Sequence, residues 1–404
     1  MTISRLPTLP GTARVSGAVR RAGGVAIDLV GAGRRTFDYA RPLASDDPSL
    51  SAADQAKLIA AAGADELVLS LMRQLHMPGD DGAFAEGDVP AMVEFLAAAG
   101  VFADPASYHE APGVPDLEWT SRAVIGRAFE HATFHSPYAP HPSVPGATRY
   151  AEQTDNAVAH AWIVPQKASA PWVVCVHGAG MGDPVIDLVL FRAHALHRQG
   201  FNVAIAVLPH HGPRGVARFE GAFPGVDVVS NLHGASQAIA DVRSVLAYVA
   251  DRGEPAALYG LSLGGYVAAS VAALEPSLAA VVVGVPVVNL ARLMRSHTPP
   301  QNSRDPHYRE MFDRAADLEA VTSPIQLGRP VTPVRRIYAG RADRLVPFDQ
   351  VDELVAHWDI DDADWYVGGH LGFMTASSAR RCLEDALVDA GLARRHDGDV
   401  VAVT

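Results

Sequence analysis

The second half of the chain alternates short, nearly continuous runs of β-prone apolar residues with stretches of helical periodicity. This pattern narrows the fold more than any other feature. The runs lie at 171–178 (PWVVCVHG), 202–208 (NVAIAVL), 257–259 (ALY) and 280–286 (AVVVGVP), followed by 334–338 and 365–367. A run with no polar face makes a strand that must be covered on both sides. Between the runs, Ile186, Val189, Leu190, Ala193 and Leu196 recur at helical spacing, as do Ile239, Val242, Leu246 and Val249. A small-residue helix through Tyr266, Ala268 and Ala272 follows, and a last helix is expected over about 375–389. Strand and helix in this order build a mostly parallel sheet with helices on both faces, an α/β class.

Upstream the pattern differs. Residues 51–76 read as helical, with Leu58, Ile59, Leu67, Val68, Leu71 and Leu75 as candidate buried positions and Gly63 as a weak point. Pro90 can begin a second helix carrying Met92, Val93, Phe95 and Leu96. Gly, Pro and Arg interrupt residues 1–50 and leave them without an assigned element. The expected organisation is an N-terminal, largely helical accessory or cap region over 1–145, outside the central sheet, and a catalytic domain over 146–404. The excursion 289–328 is a candidate pocket cover.

The strongest local signal is Gly260-Leu261-Ser262-Leu263-Gly264, set between a predicted strand and a predicted helix. A nucleophile on a sharp strand-to-helix turn needs small neighbours, and the turn places it at the amino end of the helix, where unpaired N–H groups favour negative charge. A GxSxG match can also be an ordinary turn in a chain with 35 glycines; position between strand and helix is what distinguishes this one. Ser262 is the candidate nucleophile.

Asp343 follows the apolar strand 334–338, and His370 follows the strand near 365–367. Both can reach the carboxyl edge of the sheet that bears Ser262, as orienting acid and general base. Asp343 could instead cap its loop or pair with Arg341 or Arg344, and His370 could be a structural turn residue. Earlier, His177-Gly178-Ala179-Gly180 ends a central strand in an open loop. The backbone N–H of Ala179, with Gly180 as alternative, and that of Leu263 are the candidate oxyanion donors. His177 reads as structural.

Together these residues resemble the α/β-hydrolase superfamily over about 155–390, with Ser262, Asp343 and His370 in its nucleophile, acid and histidine order. The resemblance reaches towards the serine esterase and dienelactone-hydrolase-like branches, although Ser262 stands where dienelactone hydrolases typically use cysteine. It implies hydrolysis of a carboxylic ester through an acyl-enzyme, acting on a small-molecule acyl substrate without metal or organic cofactor. Amidase, thioesterase and serine-dependent C–C hydrolase chemistries use related machinery, and a degenerate hydrolase acting as a binding protein is the non-enzyme reading.

His210, His211 and Arg214 lie in a PHHGPR segment just beyond a strand end, where a loop can reach a ligand. Arg214 can bind a substrate carboxylate or position the loop. Adjacent histidines alone make no zinc site. Leu293, Met294, Met311, Phe312, Leu371, Phe373 and Met374 can line a pocket or cover the core. The formal charge of −12 and the lack of a long basic run argue against a nucleic-acid surface. Two distant cysteines indicate no disulfide framework. Without a long apolar signal segment or membrane anchor, the expectation is a soluble, cytoplasmic protein, with homo-oligomerisation through the N-terminal helices.

Overall fold

The computed structural model of the chain describes Gly31 and residues 33–43, 50–76, 88–215, 223–225, 227–297, 306–396 and 399–403. Nine strands form one sheet: β1 (Glu118–Val124), β2 (Arg127–His135), β3 (Val158–Val164), β4 (Trp172–Val176), β5 (Asn202–Val207), β6 (Ala256–Leu261), β7 (Ala280–Gly284), β8 (Val334–Gly340) and β9 (Asp364–Tyr366). Their order is β1-β2-β3-β5-β4-β6-β7-β8-β9. The first four neighbours pair antiparallel, and the sheet is parallel from β5 to β9.

Every residue of β4, β5, β6 and β7 is buried, as runs with no polar face require. Alternate residues serve opposite cores. Val174, Val176, Leu258 and Val283 face α7 (Val228–Asp251), α8 (Leu263–Leu274) and α11 (Phe348–Trp358). Val173, Cys175, Ala257 and Val282 face α5 (Pro184–Leu190), α6 (Ala193–Arg198) and α12 (Ser377–Asp389). Each fully buried Val or Leu contributes about 1.5–3 kcal/mol, so both layers hold the sheet firmly. Cys175 and Cys382 are buried free thiols in the second layer.

The sheet extends further towards the N-terminus than the sequence pattern indicated. Strands β1 and β2 form a hairpin that joins the sheet through β3, so the expectation that residues 1–145 lie outside the sheet is corrected. In β2, Phe129, Ala132 and Phe134 are buried, whereas β1 is exposed along nearly its whole length. A strand with neither face buried carries no apolar period, so Glu118 to Val124 offer no strand signal in the sequence. A second hairpin, β10 (Ala393–His396) with β11 (Asp399–Ala402), closes the chain.

The N-terminal helices pack at two separate places. Helix α3 (Asp88–Ala98) joins α7 and α10 (Pro306–Glu319) through Met92, Leu96, Val229, Leu232 and Leu318. Helix α1 (residues 33–43) and helix α2 (Ala52–His76) instead dock near the end of β8, where Ala40, Leu58 and Ala62 cluster with Ala342. Helix α2 continues through Gly63. Of its expected apolar positions Leu58 is buried, but Ile59 and Leu67 are 37% and 56% exposed; the side chains of Leu71 and Leu75 lie outside the described residues. The inward face also carries two acids, Asp65 and Glu66. Within the excursion 289–328, α9 (Leu290–His297) and α10 are described and residues 298–305 are not. Among the described residues no helix is long and apolar enough to cross a membrane.

Candidate active site

Ser262 occupies the one-residue turn between β6 and α8, with φ 54° and ψ −115°. A side chain with positive φ stores about 1–3 kcal/mol of strain and persists only where the surroundings hold it. Here the Ser262 N–H donates to Gly284 O at 2.9 Å, and its carbonyl accepts from Gly265 N at 2.9 Å and Val287 N at 3.2 Å. The flanking glycines are sterically required. A Cβ on Gly260 would meet Gly264 O at 2.2 Å, and one on Gly264 would meet Val176 O at 2.0 Å.

Strands β8 and β9 are parallel neighbours, so the loops leaving their carboxyl ends lie side by side. They bring Asp343 and His370 together: His370 Nδ1 lies 2.7 Å from Asp343 Oδ2, and His370 Nε2 lies 3.0 Å from Ser262 Oγ. Each acid and imidazole is 4% exposed. The other Asp343 oxygen accepts from the N–H groups of Leu345 at 2.9 Å and Val346 at 2.8 Å, which orients the carboxylate. An acceptor carboxylate at Nδ1 places the proton there and leaves Nε2 to accept from the serine hydroxyl. Burial alone would lower the His370 pKa, but the charge and hydrogen bond of Asp343, helped by the charge of Asp65, carry it above the usual histidine value.

The His177–Gly180 segment runs alongside. A Cβ on Gly178 would sit 3.3 Å from Ser262 Cβ, a tight contact that glycine avoids. Ala179 and Gly180 form the exposed turn that follows, with Gly180 at φ 73°, and Leu263 is the first residue of α8. His177 is fully buried: Nδ1 donates to Gly178 O at 2.8 Å and Nε2 accepts from Leu208 N at 3.1 Å. Burial drops its pKa to about 4, so it is a neutral pin between two strand ends, as its structural reading required.

The PHHGPR segment packs against this loop, with the rings of His177 and His211 5.1 Å apart. His211 donates from Nδ1 to Pro209 O at 2.8 Å and is 6% exposed. His210 has φ 62°, and its N–H donates to Asn156 Oδ1 at 2.8 Å. Burial takes the pKa of His210 to about 4 and that of His211 to about 3, so neither carries charge near neutrality. Arg214 is 1% exposed; its guanidinium donates to Asp241 Oδ2 at 2.8 Å, Val207 O at 2.9 Å and Asn156 O at 2.7 Å. Of the two roles open to it from sequence, holding the loop is the one its burial and partners support.

Two acids that carry no motif also serve this edge. Asp187 of α5 accepts from Gly182 N at 3.2 Å and from Trp162 Nε1 at 3.0 Å, fastening the end of the glycine loop to β3. Burial raises its pKa to about 7. Asp65 of α2 accepts from His370 N at 2.7 Å. Both lie within amphipathic stretches, where an acid ordinarily marks the solvent face.

Among the proposed pocket residues, Met294 and Phe312 line a small cavity between α7, α9 and α10, together with Leu232 and Glu319. Leu293 is partly buried against the main core, and Phe373 against the second layer. Leu371 and Met374 follow His370 on a single 3-10 turn and are 39% and 53% exposed. The side chain of Met311 lies outside the described residues. Among the described residues no group of three or more His, Cys, Asp and Glu is placed to hold a metal ion.

Residues 119–298 match the family described as alpha/beta hydrolase domain containing 18. An uncharacterised protein of Mycobacterium tuberculosis, MT2702, is 38% identical over 346 residues, covering 83% of each chain. The Mycobacterium tuberculosis H37Rv protein Rv2627c, also uncharacterised, matches at the same identity and coverage. Among solved structures, acetyl xylan esterase 1 from Thermoanaerobacterium sp. superposes with a TM-score of 0.51 at 16% identity, covering 72% of this chain and 93% of that one. The last likeness is one of fold.

Proposed function

The chain belongs to one family with its Mycobacterium tuberculosis relatives and has the α/β-hydrolase fold, and from that premise we propose that it hydrolyses carboxylic esters with Ser262 as nucleophile. The observation that carries this reading is the unbroken hydrogen-bonded chain from Asp343 through His370 to Ser262 Oγ. Serine is a poor nucleophile until a base removes its proton in the attack. His370 Nε2 takes that proton as Oγ bonds to the carbonyl carbon, and Asp343 steadies the imidazolium that forms. The oxyanion then faces the N–H groups of Leu263 and of Ala179, with Gly180 as the alternative donor in the same turn. Aligned donors of this kind are each worth about 3–4 kcal/mol in the transition state.

Collapse of the tetrahedral intermediate expels the alcohol, protonated by His370, and leaves an acyl group on Ser262. Water deprotonated by His370 attacks that acyl group, and the acid departs. Esters place less demand on the imidazolium than amides do, because an alkoxide is a better leaving group than an amide anion. His210, His211 and Arg214 contribute to the site as supports of the loop beside His177.

A serine-reactive fluorophosphonate tests the nucleophile: the wild-type chain is labelled and Ser262→Ala is not. Rates on matched ester, thioester, amide and diketone substrates test the bond. Faster turnover of diketones than of every ester would overturn the ester reading. A folded protein with neither labelling nor turnover would make it a binding protein.

A further inference from the structure

We propose that Asp65 is a positioning residue of the active site: helix α2 delivers a buried carboxylate that ties the acid loop to the histidine loop and sets the imidazole of His370 for proton transfer. The proposal rests on the reading of Ser262, His370 and Asp343 as the reacting groups.

Asp65 is 1% exposed, and its Oδ2 accepts two backbone N–H groups from different loops, His370 at 2.7 Å and Arg344 at 3.0 Å. The approach is close enough that a Cβ on Gly369 would lie 2.5 Å from Oδ2. Glu66 beside it is also buried and receives Arg35 at 2.7 Å and Arg344 Nη2 at 2.9 Å. The Arg344 guanidinium lies over the Tyr39 ring at 4.4 Å, and the Tyr39 hydroxyl donates to the main-chain oxygen of Asp343 at 2.9 Å. Helices α1 and α2 thus hold main-chain atoms of residues 343, 344 and 370, those that fix where the acid and the base stand.

A tether alone would not need a charge. Two amide donors can be satisfied by a neutral side chain, and an ionised one is costly to bury. The titratable and charged groups around Asp65 are Asp343, Arg344 and His370 from the loops, Tyr39 from α1, Tyr366 from β9 and Glu66 from its own helix. The Arg344 guanidinium pairs with Glu66, and the charge on Asp65 helps to raise the pKa of His370. Burial, and then the negative charge of Asp343, push the Asp65 pKa up to about 6, so the group is ionised at neutral pH. A second carboxylate beside the histidine favours its imidazolium, the form that appears when Ser262 gives up its proton.

Asp65→Asn keeps the shape and an accepting oxygen but removes the charge; Asp65→Ala removes the clamp. The full-length chain is compared by NMR titration of the His370 imidazole, by kcat and KM on an ester, and by the pH dependence of kcat/KM. In Asp65→Asn the imidazole midpoint and the acid limb should fall together to lower pH, with kcat reduced about tenfold and KM within about twofold. In Asp65→Ala kcat should fall by about 100-fold, the loss expected when a reacting group is displaced by about 1 Å. Wild-type titration and wild-type kcat in Asp65→Asn would overturn the proposal while wild-type labelling of Ser262 left the hydrolase reading standing. If the wild-type chain itself takes no label, the hydrolase reading fails and the imidazole titration still decides whether Asp65 sets the histidine. Should Asp65→Ala not fold, the isosteric Asn variant carries the test.

Discussion

Asp343 and His370 meet at 2.7 Å, carboxylate oxygen to Nδ1, because β8 and β9 are parallel neighbours that release their loops at the same edge of the sheet. Asp343→Asn should preserve the packing yet offer Nδ1 the wrong partner, favouring the tautomer that turns an N–H towards Ser262. We expect kcat on an ester to fall by about 10⁴ with little change in KM. A loss below tenfold, in a variant whose urea midpoint matches wild type, would show that Asp343 serves only its own loop.

The same contact sets a pH dependence. In the proposed mechanism His370 must be neutral to accept the serine proton, and Asp343 holds its pKa above the ordinary value despite burial. Activity is therefore present at high pH and lost as pH falls through the raised pKa. The acid limb of kcat/KM on an uncharged ester should lie above about 6.5, the value of a free imidazole. A limb below that point would mean that desolvation of the imidazolium outweighs the carboxylate.

How far the sequence discloses this arrangement depends on whether a residue's setting leaves a local trace. Strands β4 to β7 are legible because burial on both faces demands unbroken apolar runs, and the candidate residues Ser262, Asp343 and His370 stand out because each lies within a few residues of a strand's carboxyl end. Strand β1 has no buried face, so Glu118 to Val124 carry no period to detect. Helix α2 misleads in the opposite sense. Asp65 and Glu66 look like solvent-facing acids, and only the tertiary arrangement shows that their partners are Arg35, Arg344 and the His370 backbone. The helical stripe from Ile186 to Leu196 is two helices, broken where Arg192 takes φ 51°, and Val189 at 61% exposure faces outward. An apolar period reports which residues are oily, and it does not report a break in the helix that carries them.

Asp187 provides a second check on how the loop beside Ser262 is held. It satisfies Gly182 N and Trp162 Nε1 at once, so Asp187→Ala leaves two donors without their acceptor in a buried setting. The expected cost is about 2–4 kcal/mol in a urea melt. Because Gly182 ends the segment that begins at His177, kcat/KM should fall as well, through kcat. An activity unchanged in the folded variant would separate the glycine loop from the reaction and shift the oxyanion assignment wholly to Leu263.

Arg214 and Asp241 form a buried ion pair at 2.8 Å, with side-chain exposures of 0% and 5%. Burial pushes the Asp241 pKa up while Arg214 draws it down, so removing the arginine strands a carboxylate in the core. Arg214→Met should cost about 3–5 kcal/mol, and adding Asp241→Leu should recover a large part of it, because replacing both members of a buried pair by apolar groups is often close to neutral. The contrasting role, binding a substrate carboxylate, makes a different forecast: stability would hold and KM would rise for anionic esters relative to neutral ones. Urea midpoints for the single and double variants, beside KM for a matched pair of charged and uncharged esters, separate the two. The three protein acceptors already held by Arg214 favour the stability loss, since a guanidinium that turned to a substrate would give up its ion pair with Asp241 and its bonds to Val207 O and Asn156 O, leaving Asp241 with Ser136 and Asn156 O with Gln237.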